Sequence, residues 1–353
     1  MISYGTQLIF RLDDNSGVAV VRRAGAALAR QLQFDDIRAG QLALVITEAA
    51  TNIVKHVGHG EMLLRALHQT SETGIEMSGV EVIAIDKGNG IADLQLQMED
   101  GHSTAGTYGI GLGAVYRLSH EFDIYTSPGN GTVLWMIIWA AEQQPAPLFW
   151  QVGAICVPIE GEEVCGDNWA IAACQRTLTL MVADGLGHGP DAAIAANAAV
   201  ALTVPHADQT PAVILQRAHT ALQGTRGAAV AVSKIDADNT RIHFAGVGNI
   251  SVCVFYTGNA RHLLSHNGIV GNNLRKLQEF SETWDRDALL IAHSDGINTR
   301  WNLDSYPHLR HCHPGLIAAV IYRDFSRGRD DATIVVIRES GIASREMEPG
   351  DNL

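Results

Sequence analysis

Between Met181 and Ala193 the chain reads MVADGLGHGPDAA. The apolar run from Thr179 to Ala183 has the length of a buried strand, and it delivers Asp184 and Gly185 to a glycine-rich turn before an alanine-rich helix begins. A carboxylate at a strand end can hold a hard divalent cation, and Gly185 and Gly187 let the backbone come close enough for a carbonyl to join the ligands. The same residues also suit a plain N-cap and turn. Repetition weighs against the plain reading. Gly166-Asp167 lies upstream, Ser294-Asp295-Gly296 follows the strand-like run Leu289 to Ala292, and Asp330-Asp331 precedes the strand Ala332 to Ile337. Each of these aspartates falls at a strand edge. Four such carboxylates suit a two-ion hydrolase, in which the ions share oxygen ligands and leave room for a water and a phosphate.

The order GD, DGxGHG, SDG, DDAT resembles the metal-dependent PPM-type serine/threonine phosphatases, in the bacterial branch of sporulation and stress-response (RsbX-like) phosphatases. The resemblance covers the second half of the chain and implies an α/β/β/α sandwich with two Mn²⁺ or Mg²⁺ ions. It also implies that Asp184 bridges both ions, with the Gly185 carbonyl on one and Asp295 and Asp330 on the other. Asp167 would act directly or through water, and Asp331 would support the turn. An all-oxygen ligand set fits manganese or magnesium better than zinc. His188 can be read either as a donor to the leaving group or as a structural cap. Larger eukaryotic members hold phosphate with an arginine upstream of the first Asp, but no arginine stands between Gln151 and Asp167 here. Gly246-Val247-Gly248-Asn249 reads as a turn with a structural role.

In the first half, Gln7 to Leu12 alternates like a strand, Ser16 caps a helix to about Leu32, and a second helix runs from Asp36 to about Val57. On that second helix Glu48 and Asn52 stand four apart and share a face. A strand ending at Ile85 leads into Asp86-Lys87-Gly88-Asn89-Gly90-Ile91, and Gly109-Ile110-Gly111-Leu112-Gly113 opens another helix. Glycines at a helix N-terminus expose backbone amides to phosphate. Alone, ExxxN is most simply a solvated helix face and GxGLG a turn.

Taken together and in order, ExxxN, DxGxGI and GxGLG resemble the nucleotide boxes of GHKL-type ATP-binding domains, over roughly Tyr4 to Ala140. The resemblance implies that Glu48 activates the attacking nucleophile, Asn52 holds Mg²⁺, and Asp86 accepts a hydrogen bond from the adenine amino group. Gly88 and Gly90 would let adenine pack closely, Gly109, Gly111 and Gly113 would line the phosphates of ATP, and Thr132 would lie near the base. Fewer than fifty residues precede Glu48, so the phospho-accepting hairpin of sensor kinases is not expected. EFDIYTSPGNGTVL resembles instead the small anti-sigma and switch kinases, RsbT-like, which phosphorylate STAS-domain partners.

The expected fold class is therefore α+β in two domains, a GHKL-type α/β sandwich at 1–141 and a PPM-type α/β/β/α sandwich at 149–338. The proline-containing segment 142–148 would be the linker and 339–353 a flexible tail. The expected function is a bacterial partner-switching regulator that phosphorylates a STAS-domain or stressosome-type protein and removes phosphate from that protein or from another member of the set. The alternative is a phosphatase whose GHKL domain only senses nucleotide or binds a sigma factor. A net charge of −13 argues against a nucleic-acid or anionic-membrane surface, and no apolar segment reaches the length of a membrane span. A cytoplasmic protein with reduced cysteines is expected, and a homodimer is left open. His311-Cys312-His313 looks metal-like, but adjacent side chains seldom converge on one ion, so it is read as structural or incidental.

Overall fold

The computed structural model describes residues 2–70, 74–98, 111–142, 144–274 and 277–341. The chain forms two compact units, Met1–Ala146 and Pro147–Leu353. The last residues of the tail and Gly109 lie outside the described residues.

The first unit runs β1 (Ile2–Tyr4), β2 (Leu8–Leu12), α1 (Asn15–Gln31), α2 (Asp36–His56), β3 (Gly60–Thr70), β4 (Glu76–Ile85), α3 (Leu94–Met98), α4 (Leu112–Leu118), β5 (Glu121–Thr126) and β6 (Thr132–Trp139). The strands form one sheet in the order β1-β3-β4-β6-β5, with β2 also paired to β3. All of its pairings are antiparallel. Helix α1 buries Val18, Val21, Gly25 and Ala29, the stripe that a 3.6-residue period predicts. A Cβ at Gly25 would stand 2.2 Å from Ile46 Cδ1, so this glycine lets α1 approach α2 closely. The cap differs from expectation. Asp14, rather than Ser16, accepts the amides of Ser16 and Gly17, because its carboxylate reaches both from the residue just outside the helix.

The second unit contains β7 (Trp150–Val157), β8 (Asp167–Cys174), β9 (Thr177–Gly185), α5 (Pro190–Val200), α6 (Pro211–Ala221), β10 (Ala228–Asp236), β11 (Arg241–Val247), β12 (Ser251–Tyr256), β13 (Asn259–Leu263), β14 (Phe280–Thr283), β15 (Leu289–His293), α7 (Pro314–Phe325) and β16 (Ala332–Glu339). Two five-stranded sheets form, β14-β11-β10-β9-β8 and β13-β12-β15-β16-β7. Helices α5 and α6 pack on the first and α7 on the second, while β8 touches β7 and β16 across the middle. This is the expected α/β/β/α order. Met181, Ala183, Val230 and Val232 meet Ala195, Ala199, Ile214 and Leu215 beneath α5 and α6. On the other side, a Cβ on Gly153 of β7 would clash with the backbone at Gly315, so glycine there seats α7 directly on the sheet.

His313 explains the His-Cys-His run. Its Nδ1 accepts the Gly315 amide and caps α7, a structural role as expected. Among the described residues, no helix is long and apolar enough to cross a membrane.

Candidate functional site

Strand pairing brings the second unit's carboxylates together. Asp167, expected at a strand edge, opens β8 and stands directly opposite Asp184 in the β8–β9 ladder. Gly185 N–H donates to the Gly166 carbonyl and extends the ladder by one bond. Asp295 follows β15 and Asp330 precedes β16, its paired neighbour, so both arrive at the same end of the second sheet. Charge confirms the proximity. Burial and then the charges of Asp167, Asp295, Asp330 and Asp331 push Asp184 up to about 9. Asp167 is pushed up to about 7, chiefly by burial, with Asp331 and Asp330 adding to it and the hydroxyls of Ser294 and Thr333 opposing. Asp295 is also raised, by burial first and then by Asp330.

This donor set fits hard divalent ions. Asp167 is buried, and its Oδ2 has no hydrogen-bond partner. A buried carboxylate oxygen left unpaired among other carboxylates is costly unless a cation neutralises it. Among the described residues no three His, Cys, Asp or Glu side chains already converge on one point. Gly185 must be glycine for a second reason, since a Cβ there would lie 2.1 Å from the Ala192 carbonyl of α5. Asp331 is occupied otherwise. Its two oxygens accept the amides of Ile159 and Gly166, each at 2.8 Å, which pins the loop that carries Asp167.

One side chain beside the cluster departs from the sequence reading. Asn249 was assigned structure alone, yet its Nδ2 donates to Asp295 Oδ2 at 2.7 Å. The signal was register: Ser251 pairs with His293, and two residues further along each strand stand Asn249 and Asp295. Removing this bond frees the Asp295 carboxylate to rotate. Asn249→Ala is therefore expected to weaken Mn²⁺ binding roughly 10- to 100-fold, as loss of a ligand-orienting partner does, measured by calorimetric titration of the chelated protein. His188 is tied by Nδ1 to Glu162 Oε1 at 2.7 Å, on a half-exposed loop.

In the first unit, Glu48 and Asn52 lie half-buried on α2. Asp86 follows β4. Its Oδ1 accepts the amides of Gly88 at 2.8 Å and Thr132 at 3.2 Å, and its own N–H donates to the Thr132 carbonyl. Both side-chain bonds go to Oδ1. A Cβ on Gly88 would press on Val57 at 2.5 Å, and Gly90 has φ +70 with the Ser127 carbonyl 2.4 Å from where its Cβ would stand. Gly131, not singled out from the sequence, has φ +74, and a Cβ there would strike the Asp86 carbonyl at 2.1 Å. Thr132 is buried and its hydroxyl meets that of Thr126 at 3.1 Å, while Thr126 Oγ1 accepts the Ile91 amide. Thr126 was missed as well, although it is the register partner of Thr132 at the hairpin end. Gly111 caps α4 without a side-chain bond. Gly113 lets α4 pass α3, since a Cβ would lie 2.6 Å from the Met98 carbonyl, so it has a packing role beside the one expected.

The comparisons agree with this division. Residues 12–138 match the family described as histidine kinase-like ATPase domain, and residues 175–339 match stage II sporulation protein E, SpoIIE. The serine/threonine-protein kinase RsbT of Bacillus subtilis (strain 168) is 34% identical over 122 residues, 35% of this chain and 88% of RsbT. The phosphoserine phosphatase RsbX of the same organism is 28% identical over 140 residues, 39% of this chain and 70% of RsbX. A solved structure from work on the bacterial stressosome, a modular system adapted to control secondary messenger signalling, superposes with TM-score 0.51 at 30% identity, covering 54% of this chain and 99% of its own. With its ATPase-type half and its antiparallel α/β/β/α half, the chain belongs to the RsbT family of histidine kinase-like ATPase domains, fused to a SpoIIE- and RsbX-type serine/threonine phosphatase domain.

Proposed function

We propose that this partner-switching regulator both adds and removes one phosphate: residues 1–141 transfer it from ATP to a serine or threonine of a STAS-domain protein, and residues 149–338 hydrolyse it. The observation that carries the reading is the Asp167–Asp184 rung, with its unpartnered buried oxygen and the mutual repulsion of the carboxylates around it. Asp184, Asp167, Asp295 and Asp330, together with the Gly185 carbonyl, would hold two Mn²⁺ or Mg²⁺ ions. When bound, such ions lower the pKa of a coordinated water and neutralise charge on phosphoryl oxygens. The protein's part is positional. Asn249 orients Asp295, and Asp331 fixes the loop before β8 through two amides.

For transfer, Glu48 would accept the proton of the substrate hydroxyl, and Asn52, one helical turn on, would hold the Mg²⁺ of the nucleotide. Asp86 would take the adenine amino group, its Oδ1 already fixed by Gly88 and Thr132. RsbT is a kinase and RsbX a phosphoserine phosphatase by name, which supports two opposed activities in one chain. The short segment between the domains would keep both near one bound partner and raise the effective concentration.

Metal removal gives the first test. Adding Mn²⁺ to the chelated protein at about a hundredfold over Kd is expected to raise the phosphatase domain's melting temperature by about 5 °C or more. The same addition should switch on phosphate release from a phosphoserine protein. An unchanged melting temperature and no release with either Mn²⁺ or Mg²⁺ would refute the site.

A further inference from the structure

The segment 152–166 between Gln151 and Asp167 holds no arginine, yet a phosphoryl group bound at this cluster carries negative charge that its surroundings must meet. The loop before Asp167 is in fact acidic, reading Glu160-Gly161-Glu162-Glu163, and Glu162 is engaged with His188. The ions would neutralise part of that charge, and a side-chain cation that adds to them has to come from elsewhere in the fold. The ladder between β9 and β10 shows where. Asp184 pairs with Ala229 and Gly185 with Ala228, and beyond the paired strands Leu186 N–H donates to the Gly227 carbonyl at 3.0 Å. Continuing this register sets Arg226 opposite Gly187, on the glycine loop that leaves Asp184.

The side chain follows the backbone. Arg226 Nη1 lies 3.2 Å from where a Cβ on Gly187 would stand, so the guanidinium lies over a residue without a side chain. Its Nη2 donates to Asp191 Oδ2 at 2.6 Å, in the first turn of α5. That bond uses one edge of the fork and fixes its direction, leaving the other N–H groups for a second anion. Gly187 has φ +91, so glycine there serves the loop's conformation and also clears the space over which the guanidinium lies. Arg327 is the competing cation: its charge acts on Asp295, and its backbone amide donates to the Gly296 carbonyl.

The geometry points to Arg226, steered by Asp191 over Gly187, as the residue that holds the phosphoryl oxygens of the substrate in place of an arginine upstream of Asp167. This rests on the phosphatase reading of the carboxylate cluster. A planar fork on a phosphate is worth more than a point charge, so lysine should only partly replace it.

Inorganic phosphate is the probe. Its Kd for the Mn²⁺-loaded full chain is measured by calorimetry for wild type, R226A, R226K and R327A, beside KM and kcat for release from a phosphoserine protein. R226A is expected to raise the phosphate Kd roughly 10- to 100-fold and to raise KM with it, with R226K between R226A and wild type. The Mn²⁺-induced rise in melting temperature should stay at its wild-type value in R226A, which separates a lost anion contact from a lost fold or ion. A phosphate Kd in R226A within twofold of wild type, or a loss confined to R327A, would overturn the assignment. Failure of the phosphatase reading would look different, as no release by the wild-type protein itself.

Discussion

Asp184→Asn is expected to lose Mn²⁺-dependent phosphate release by on the order of 10³-fold or more, because ion catalysis is worth several kcal/mol and each 1.36 kcal/mol is tenfold. The amide keeps the size of the side chain and one oxygen, so packing of β9 against β8 and β10 is preserved. It loses the charge that would bridge two ions. The same change should have the opposite effect on the metal-free fold. Burial and neighbouring carboxylates hold the Asp184 pKa at about 9, so at neutral pH the folded state resists ionising a group that ionises readily when unfolded. Removing that group removes the penalty, and the chelated variant should melt at or above the wild-type temperature. An aspartate present for structure alone would give lower stability and lower activity together. Loss of activity with gain of metal-free stability marks a ligand.

Glu48→Gln is expected to lower phosphate transfer from ATP to a STAS-domain protein by about 10²- to 10⁴-fold, the range for removing a positioned general base. ATP binding should change little, because the bonds that fix Asp86, Gly88, Thr126 and Thr132 do not involve Glu48. Phosphate release by the second unit should be unaffected. Competition with a fluorescent ATP analogue measures the first point and transfer of labelled phosphate the second. If the GHKL domain only sequesters a partner or senses nucleotide, Glu48→Gln would leave partner regulation intact and wild type would transfer no phosphate.

Much of this arrangement could be read from residues alone, and the parts that could not share a physical cause. The sequence places strands at Glu121–Thr126 and Thr132–Trp139, on either side of the turn Ser127-Pro128-Gly129-Asn130-Gly131, and at Ser251–Tyr256 after Gly248-Asn249, and β5, β6 and β12 have those bounds. Strand β3 and helix α7 went unseen for the opposite reason. Met62 to Leu67 are buried without interruption, as are Pro314 to Arg323, so neither a two-residue nor a 3.6-residue period survives to announce the element. Strands β13 and β14 are short and mostly exposed, and read as loop. At the sites, the acidic ligands were legible because an aspartate at a strand edge is chemically conspicuous. Asn249, Thr126 and Arg226 were not, because each gains its meaning from register with a residue far away in sequence. Asp167 shows both limits. Its chemistry was evident, but its place opposite Asp184 came only from the pairing of β8 with β9.

The most direct measurement follows labelled phosphate on a STAS-domain protein incubated with the full chain, ATP, Mg²⁺ and Mn²⁺, comparing wild type with Asp184→Asn and Glu48→Gln. The account predicts transient labelling with continuing ATP consumption by wild type, stable accumulation of label with Asp184→Asn, and label removed but never added with Glu48→Gln. Stable labelling by wild type to the same level as Asp184→Asn, or no labelling by either, would contradict two opposed activities in one chain.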